Sequence, residues 1–133
     1  MRILFVDDLP DTRQVFRLAF GLYGHSTQLA GNGREAVEAV QDEAFDAIVM
    51  DVEMPEMNGW DAVRTIRTLP NGQTTPIVMF TAYGNGGNRQ QAREVGADSL
   101  LHKPTTPQEL LDEIERLSRI QKTGEEGDRS PFV

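Results

Sequence analysis

The chain of 133 residues has no cysteine. Disulfides, thiolate zinc sites and cysteine nucleophiles are therefore excluded, and the absence is compatible with a reducing compartment. No apolar run approaches the roughly 20 residues that a membrane span requires. Met1-Arg2 is followed by only four apolar residues, Ile3 to Val6, too few for the core of a signal peptide. Basic residues are in deficit, 13 against 21 acidic ones, for a net charge of −8. Such a balance argues against an extended contact with nucleic-acid phosphates, which needs a basic stripe. With no span and no leader, a cytoplasmic protein without membrane or direct nucleic-acid contact is the expectation. What remains is the composition of a globular domain, 38% hydrophobic and 26% charged.

The most informative stretch is Ala47-Ile48-Val49-Met50-Asp51-Val52-Glu53-Met54-Pro55-Glu56-Met57-Asn58-Gly59. A short apolar run bounded by turn signals reads as a buried, parallel strand. It ends in a carboxylate, Asp51, at the strand terminus where open α/β sheets place their ligands. Pro55 stops the strand, and Asn58-Gly59 is expected to supply positive-φ geometry before the next helix. A lone aspartate in such a place is commonly a turn former or helix cap. Three further strand-like runs, however, end in polar groups. Asp7-Asp8 follow Ile3 to Val6, Thr81 follows Ile77 to Phe80, and Lys103-Pro104 follow Ser99 to Leu101. A parallel sheet brings all of them to one edge.

The same pass yields five helical segments. In helix one, which opens with Pro10 and Asp11, Val15, Leu18, Ala19 and Leu22 recur at helical spacing and predict the buried face. Ala36, Val37 and Val40 do so in helix two, and Ala62, Val63 and Ile66 in helix three. Three glycines in Gly84-Asn85-Gly86-Gly87-Asn88 predict that helix four starts late, near Arg89, because glycine costs about 1 kcal/mol in a helix interior. Residues 84–88 are then expected to be a mobile loop tethered to Thr81. Thr106-Pro107-Gln108-Glu109 is a capping box with proline at the first helical position. It opens helix five, with Leu110, Leu111, Ile114 and Leu117 inward and Glu109, Asp112, Glu113, Arg116 and Arg119 outward. Strands alternating with helices predict an α/β fold, a doubly wound five-stranded parallel sheet of order 2-1-3-4-5 in a flavodoxin-like three-layer sandwich. One domain is expected over 1–120, and 121–133, which shows no period, as a disordered tail or the start of a linker.

Two acids, a third acid, a hydroxyl and a lysine at these strand ends, in this order and spacing, resemble the receiver domain of two-component response regulators, the CheY-like phosphoacceptor family. The resemblance covers about residues 1–120. It implies that Asp51 accepts a phosphoryl group from a sensor histidine kinase or histidine phosphotransfer protein. It further implies Mg²⁺ held by Asp8, Asp51 and the backbone carbonyl of Glu53, with Asp7 acting through water. Thr81 and Lys103 would contact the phosphoryl group and carry the switch, with the backbone N–H of Ala82 as a further donor. Pro104 matches the family's Lys-Pro step, often a cis bond. Signalling would pass through the face of helix four, strand five and helix five to a downstream protein, or to a second copy on phosphorylation. Two departures stand out. Leu100 occupies a position that is often aromatic in receivers and takes part in the switch. Glu53 and Tyr83 place a charge and a bulky ring where they would govern access to the site. An aspartyl phosphatase of the haloacid-dehalogenase type would want its nucleophile after the first strand, in an Asp-x-Asp pair that is absent here. A structural pseudo-receiver is disfavoured by the filled site positions.

Overall fold

In a computed structural model, which describes residues 1–82 and 86–123, the chain forms five strands and five helices in strict alternation. The strands are β1 (Arg2–Val6), β2 (Ser26–Ala30), β3 (Ala47–Asp51), β4 (Ile77–Thr81) and β5 (Ser99–His102). The helices are α1 (Pro10–Leu22), α2 (Gly33–Asp42), α3 (Gly59–Ile66), α4 (Gly86–Val95) and α5 (Pro107–Thr123). The sheet is parallel throughout, in the expected order β2-β1-β3-β4-β5. No helix among the described residues is long and apolar enough to cross a membrane.

Strand alternation divides the core in two. Leu4, Val6, Ile48, Met50, Ile77, Met79 and Leu100 face one way and pack against α2, α3 and α4. Ile3, Phe5, Ala47, Val49, Val78 and Phe80 face the other way, against α1 and α5. This is why the central strands read as unbroken apolar runs: each is buried on both faces. The helix starts follow their local chemistry. Asn32 and Asn58 cap α2 and α3 by accepting from the amides of Glu35 and Asp61. In the α5 capping box, Thr106 N–H donates to Glu109 Oε1 at 2.9 Å, and Glu109 N–H donates to Thr106 Oγ1 at 3.1 Å. All four residues expected inward on α5 are buried.

Five local expectations are corrected. The buried face of α1 is not Val15, Leu18 and Leu22, which are 58%, 66% and 88% exposed. It is Phe16 and Phe20, which join Phe5 and Phe80 in an aromatic cluster with Phe5–Phe16 and Phe5–Phe80 centroid separations of 4.8 and 5.6 Å. Two apolar stripes run along this helix, and the larger rings win the limited space over the sheet because they bury more area. Helix α4 begins at Gly86, not near Arg89. The first amides of a helix lack intrahelical partners in any case, so glycine in the first turn costs less than in the interior. Positive φ falls not on Asn58-Gly59 but on Glu56, at +66°. On α5, Glu113 and Arg116 are partly buried: they pair with each other, and Glu113 accepts from the Ser99 hydroxyl. Helix α5 also continues to Thr123, past the expected end at 120. Tyr83 and residues 84, 85 and 124–133 lie outside the described residues.

The two stripes of α1 make opposite predictions. Phe20→Ala should destabilise the fold by about 3–5 kcal/mol through the cavity it leaves. Leu22→Ala should change stability by no more than about 0.5 kcal/mol, as for other surface positions. Urea unfolding of the two variants measures both.

Candidate functional site

The carboxyl ends of β1, β3, β4 and β5 converge. Asp7 follows β1, Asp51 is the last residue of β3, Thr81 is the last of β4, and Lys103 follows β5. Asp7, Asp51 and Thr81 are buried, Asp8 is half-buried and Ala82 is exposed. One carboxylate oxygen from each of Asp7, Asp8 and Asp51 lies within 4.8 Å of the others. Lys103 Nζ stands 3.3 Å from Asp7 Oδ2 and 3.3 Å from Asp51 Oδ2. The ammonium also sits over the Phe80 ring, 4.6 Å from its centroid, a cation–π contact that directs it inward. The Lys103 amide donates to the Thr81 carbonyl at 2.8 Å, so the β4–β5 ladder fixes the lysine against the threonine strand. The Lys103-Pro104 bond is cis.

Asp7 holds the start of α1 as well as facing the cluster. Its Oδ1 accepts from the Leu9 amide at 2.9 Å, and its backbone carbonyl accepts from Arg13 Nη1 at 2.8 Å. The loop after Asp51 is equally constrained. The Gly59 amide donates to the Val52 carbonyl at 2.8 Å, and a Cβ at position 59 would overlap the Asp51 carbonyl. Only glycine lets the start of α3 approach the backbone of Asp51 this closely.

Burial pushes the Asp51 carboxyl up to about 6, since desolvation disfavours the anion. Lys103 pulls it down, the neighbouring Asp7 raises it further, and a hydrogen bond from the Val52 backbone lowers it. Two buried carboxylates, Asp7 and Asp51, share the Lys103 ammonium, and Asp8 stands beside them at the rim. An all-oxygen set of that charge and spacing fits a hard divalent cation, which keeps several waters and needs few protein ligands.

The other residues singled out in the sequence differ in their burial. Leu100 is buried in the core layer formed with α2, α3 and α4. His102 is exposed, so β5 sets no buried aromatic side chain behind the site. Glu53 is exposed just past Asp51, and Pro104 is exposed just past Lys103. Sequence reading missed Phe80 as the platform beneath Lys103. Its position one residue before Thr81 was the available signal, but an apolar strand residue does not advertise which ring faces an ammonium.

Comparison with known proteins agrees with this geometry. A family profile described as the response regulator receiver domain matches residues 3–115. The response regulator MprA of Mycobacterium leprae is 38% identical over 122 residues, which are 92% of this chain and 53% of that protein. The chain thus spans about half the length of that relative. A 14.6 kDa protein in the sodA1 3′ region of Leptolyngbya boryana is 40% identical over 84% of this chain and 85% of its own length. Among solved structures, the Vibrio cholerae chemotaxis response regulator CheY4 superposes with a TM-score of 0.83 at 34% identity, covering 87% of this chain and 97% of its own. The receiver domain of the sensor histidine kinase PA1611 of Pseudomonas aeruginosa, solved with a magnesium ion in its active-site cleft, gives 0.81 at 31% identity, covering 89% and 97%. With an acidic cluster, a threonine and a lysine at one edge of a 2-1-3-4-5 sheet, the chain belongs to the response regulator receiver domains of two-component signalling.

Proposed function

We propose that the chain accepts a phosphoryl group on Asp51 from a phosphohistidine of a sensor histidine kinase or histidine phosphotransfer protein, and then changes the partner it binds. The observation that carries this reading is the buried Asp51 flanked by Asp7, Asp8 and Lys103. A carboxylate oxygen of Asp51 attacks phosphorus, the P–N bond to the donor imidazole breaks, and the imidazole leaves, taking up a proton from water. Phosphoryl transfer asks the protein chiefly for positioning and charge neutralisation. Lys103 supplies an ammonium already held 3.3 Å from Asp51. Thr81 and the Ala82 amide supply donors for the phosphoryl oxygens. Mg²⁺, when bound, supplies the remaining positive charge. Asp8, Asp51 and the Glu53 carbonyl would hold it directly. Asp7 suits a contact through water, since its two oxygens already serve the Leu9 amide and Lys103. This chemistry belongs with cytoplasmic histidyl-phosphate donors.

With Leu100 in place of an aromatic switch partner, the displacement of Thr81 and Lys103 is the part of the switch these residues can carry. The output runs through α4, β5 and α5, whose exposed Glu109, Asp112 and Arg119 offer a mixed-charge surface to a downstream protein or, on phosphorylation, to a second copy. Glu53, exposed just past Asp51, sets access to the phosphoryl group and hence its lifetime.

The donor docks on α1. Val15, Leu18 and Leu22 form an exposed apolar ridge along α1, the helix that follows Asp7 and Asp8 at the rim of the site. A donor protein whose histidine reaches Asp51 must cover that rim. Apolar ridges of this kind accept the apolar face of a helix. Asp8 and Asp11 at the same end, on a chain of net charge −8, favour a basic border on the donor.

Incubated with Mg²⁺ and acetyl phosphate, the protein should gain one acid-labile phosphoryl group, and Asp51→Asn should gain none. Intact-mass measurement decides this, and phosphate retained in the variant would defeat the assignment. Leu18→Asp should slow transfer from a phosphohistidine protein at least about tenfold, the loss of one interface anchor. It should leave phosphorylation by acetyl phosphate unchanged, and parallel rate measurements with the two donors test the separation.

The raised Asp51 carboxyl has a stability consequence. Its folded value of about 6 exceeds the ordinary 3.8, so the native state holds the proton more tightly than the unfolded chain does. The cost of the buried anion is therefore fully present above about pH 6 and disappears as pH falls toward about 4. Without metal, Asp51→Asn should stabilise the protein by up to about 3 kcal/mol near neutral pH and by almost nothing near pH 4. Denaturant unfolding at several pH values checks the sign.

A further inference from the structure

The loop from Val52 to Asn58 connects the phosphoacceptor to α3, and its conformation is costly. Glu56 has φ +66°, and the amide of Met57 donates to the carbonyl of Pro55 at 2.8 Å. A bond spanning two residues around a positive φ is the rare hand of the γ-turn, strained for a residue with a side chain. Such strain persists only where the surroundings over-determine it. Here the surroundings are the N-terminus of α2, more than twenty positions earlier in the chain. Buried Asn32 donates through Nδ2 to Glu56 Oε2 at 3.2 Å. Arg34 Nε lies 3.5 Å from Glu56 Oε1. The Gly33 amide donates to the Met57 carbonyl at 2.9 Å, and a Cβ at position 33 would overlap that carbonyl. Asn32 thus serves two masters at once: its Oδ1 caps α2 by accepting from Glu35, while its Nδ2 holds the strained turn.

We infer that Asn32 and Gly33 are positioning residues for the phosphoacceptor site, bracing the strained turn at Glu56 so that the backbone after Asp51 is set for the cation. The inference rests on the reading of Asp51 and its neighbours as a Mg²⁺-assisted phosphoacceptor site. Its physical content is preorganisation. The loop that carries the Glu53 carbonyl is closed by the Gly59 amide on the Val52 carbonyl and held by α2 at Glu56 and Met57. If the brace is released, the loop spends part of its time relaxed. Cation affinity then falls by the fraction of time spent in the competent state.

The two roles of Asn32 can be separated. Asn32→Asp keeps a good helix cap, because aspartate accepts from the Glu35 amide as asparagine does. It removes the donor to Glu56 and sets two carboxylates against each other. Charge alone would tighten a cation, so a loss of affinity reports the brace. Glu56→Gln added to Asn32→Asp restores a hydrogen bond of reversed polarity and returns the net charge to its original value. Titration with Mg²⁺ alone, followed through backbone amide shifts, is the experiment, with amide exchange at Met57 as a readout in metal-free protein.

The expected result is a three- to tenfold weaker Mg²⁺ affinity and faster exchange at Met57 in Asn32→Asp, with both recovered in the double variant. Wild-type affinity in Asn32→Asp, or a loss that the double variant does not recover, overturns the brace. Gly33→Ala should show the same loss without changing any charge, and unaltered Mg²⁺ affinity in a folded Gly33→Ala protein also overturns it. A wild-type protein that binds no Mg²⁺ removes the phosphoacceptor reading and this inference with it, and so is distinguishable from failure of the brace alone.

Discussion

Everything at the functional edge follows from burying carboxylates beside one another. Asp7 and Asp51 are shielded from water, Asp8 stands at the rim, and Lys103 is the cation in contact with the first two. Removing such groups from water costs several kcal/mol per ion unless charge is compensated. The fold accepts that cost through rigid parts. The register of β4 and β5 sets Lys103 against Thr81, Phe80 supports the ammonium from below, and α1 is tied back to Asp7 through Leu9 and Arg13. The donor set leaves negative charge in excess at this edge, with three carboxylates gathered beside the Lys103 ammonium.

Much of this was legible in the sequence because both signals are local. A strand buried on both faces must be a short apolar run, and a polar residue ending each run must lie on the same edge of a parallel sheet. Asp7, Asp51, Thr81 and Lys103 were found in that way, and the capping box of α5 was legible for the same reason. What the sequence could not rank was one apolar stripe against another. In α1, periodicity is satisfied equally by the stripe through Val15, Leu18 and Leu22 and by the pair Phe16 and Phe20, and only the space over Phe5 and Phe80 chooses.

Long-range backbone contacts left no trace either. Gly33 reads as the residue that opens a helix, yet its lack of a side chain is required by the carbonyl of Met57. At α4 glycine content points the wrong way, because the penalty that holds in a helix interior does not apply in a first turn. Local preference puts positive φ on the residues most tolerant of it, Asn58 and Gly59, whereas tertiary contacts impose it on Glu56. In each case a local preference was overruled by a neighbour distant in sequence.

The ridge on α1 has a colloidal side as well. A row of exposed leucines and a valine is the kind of surface through which identical molecules stick together. Two copies meeting through their ridges bring together chains that each carry a net charge of −8, and the acidic residues at the head of the helix sharpen that repulsion. The negative charge therefore acts as a filter: it holds like molecules apart while leaving the apolar row open to a molecule of opposite sign. A surface too greasy to be left bare on a neutral protein becomes tolerable on an acidic one.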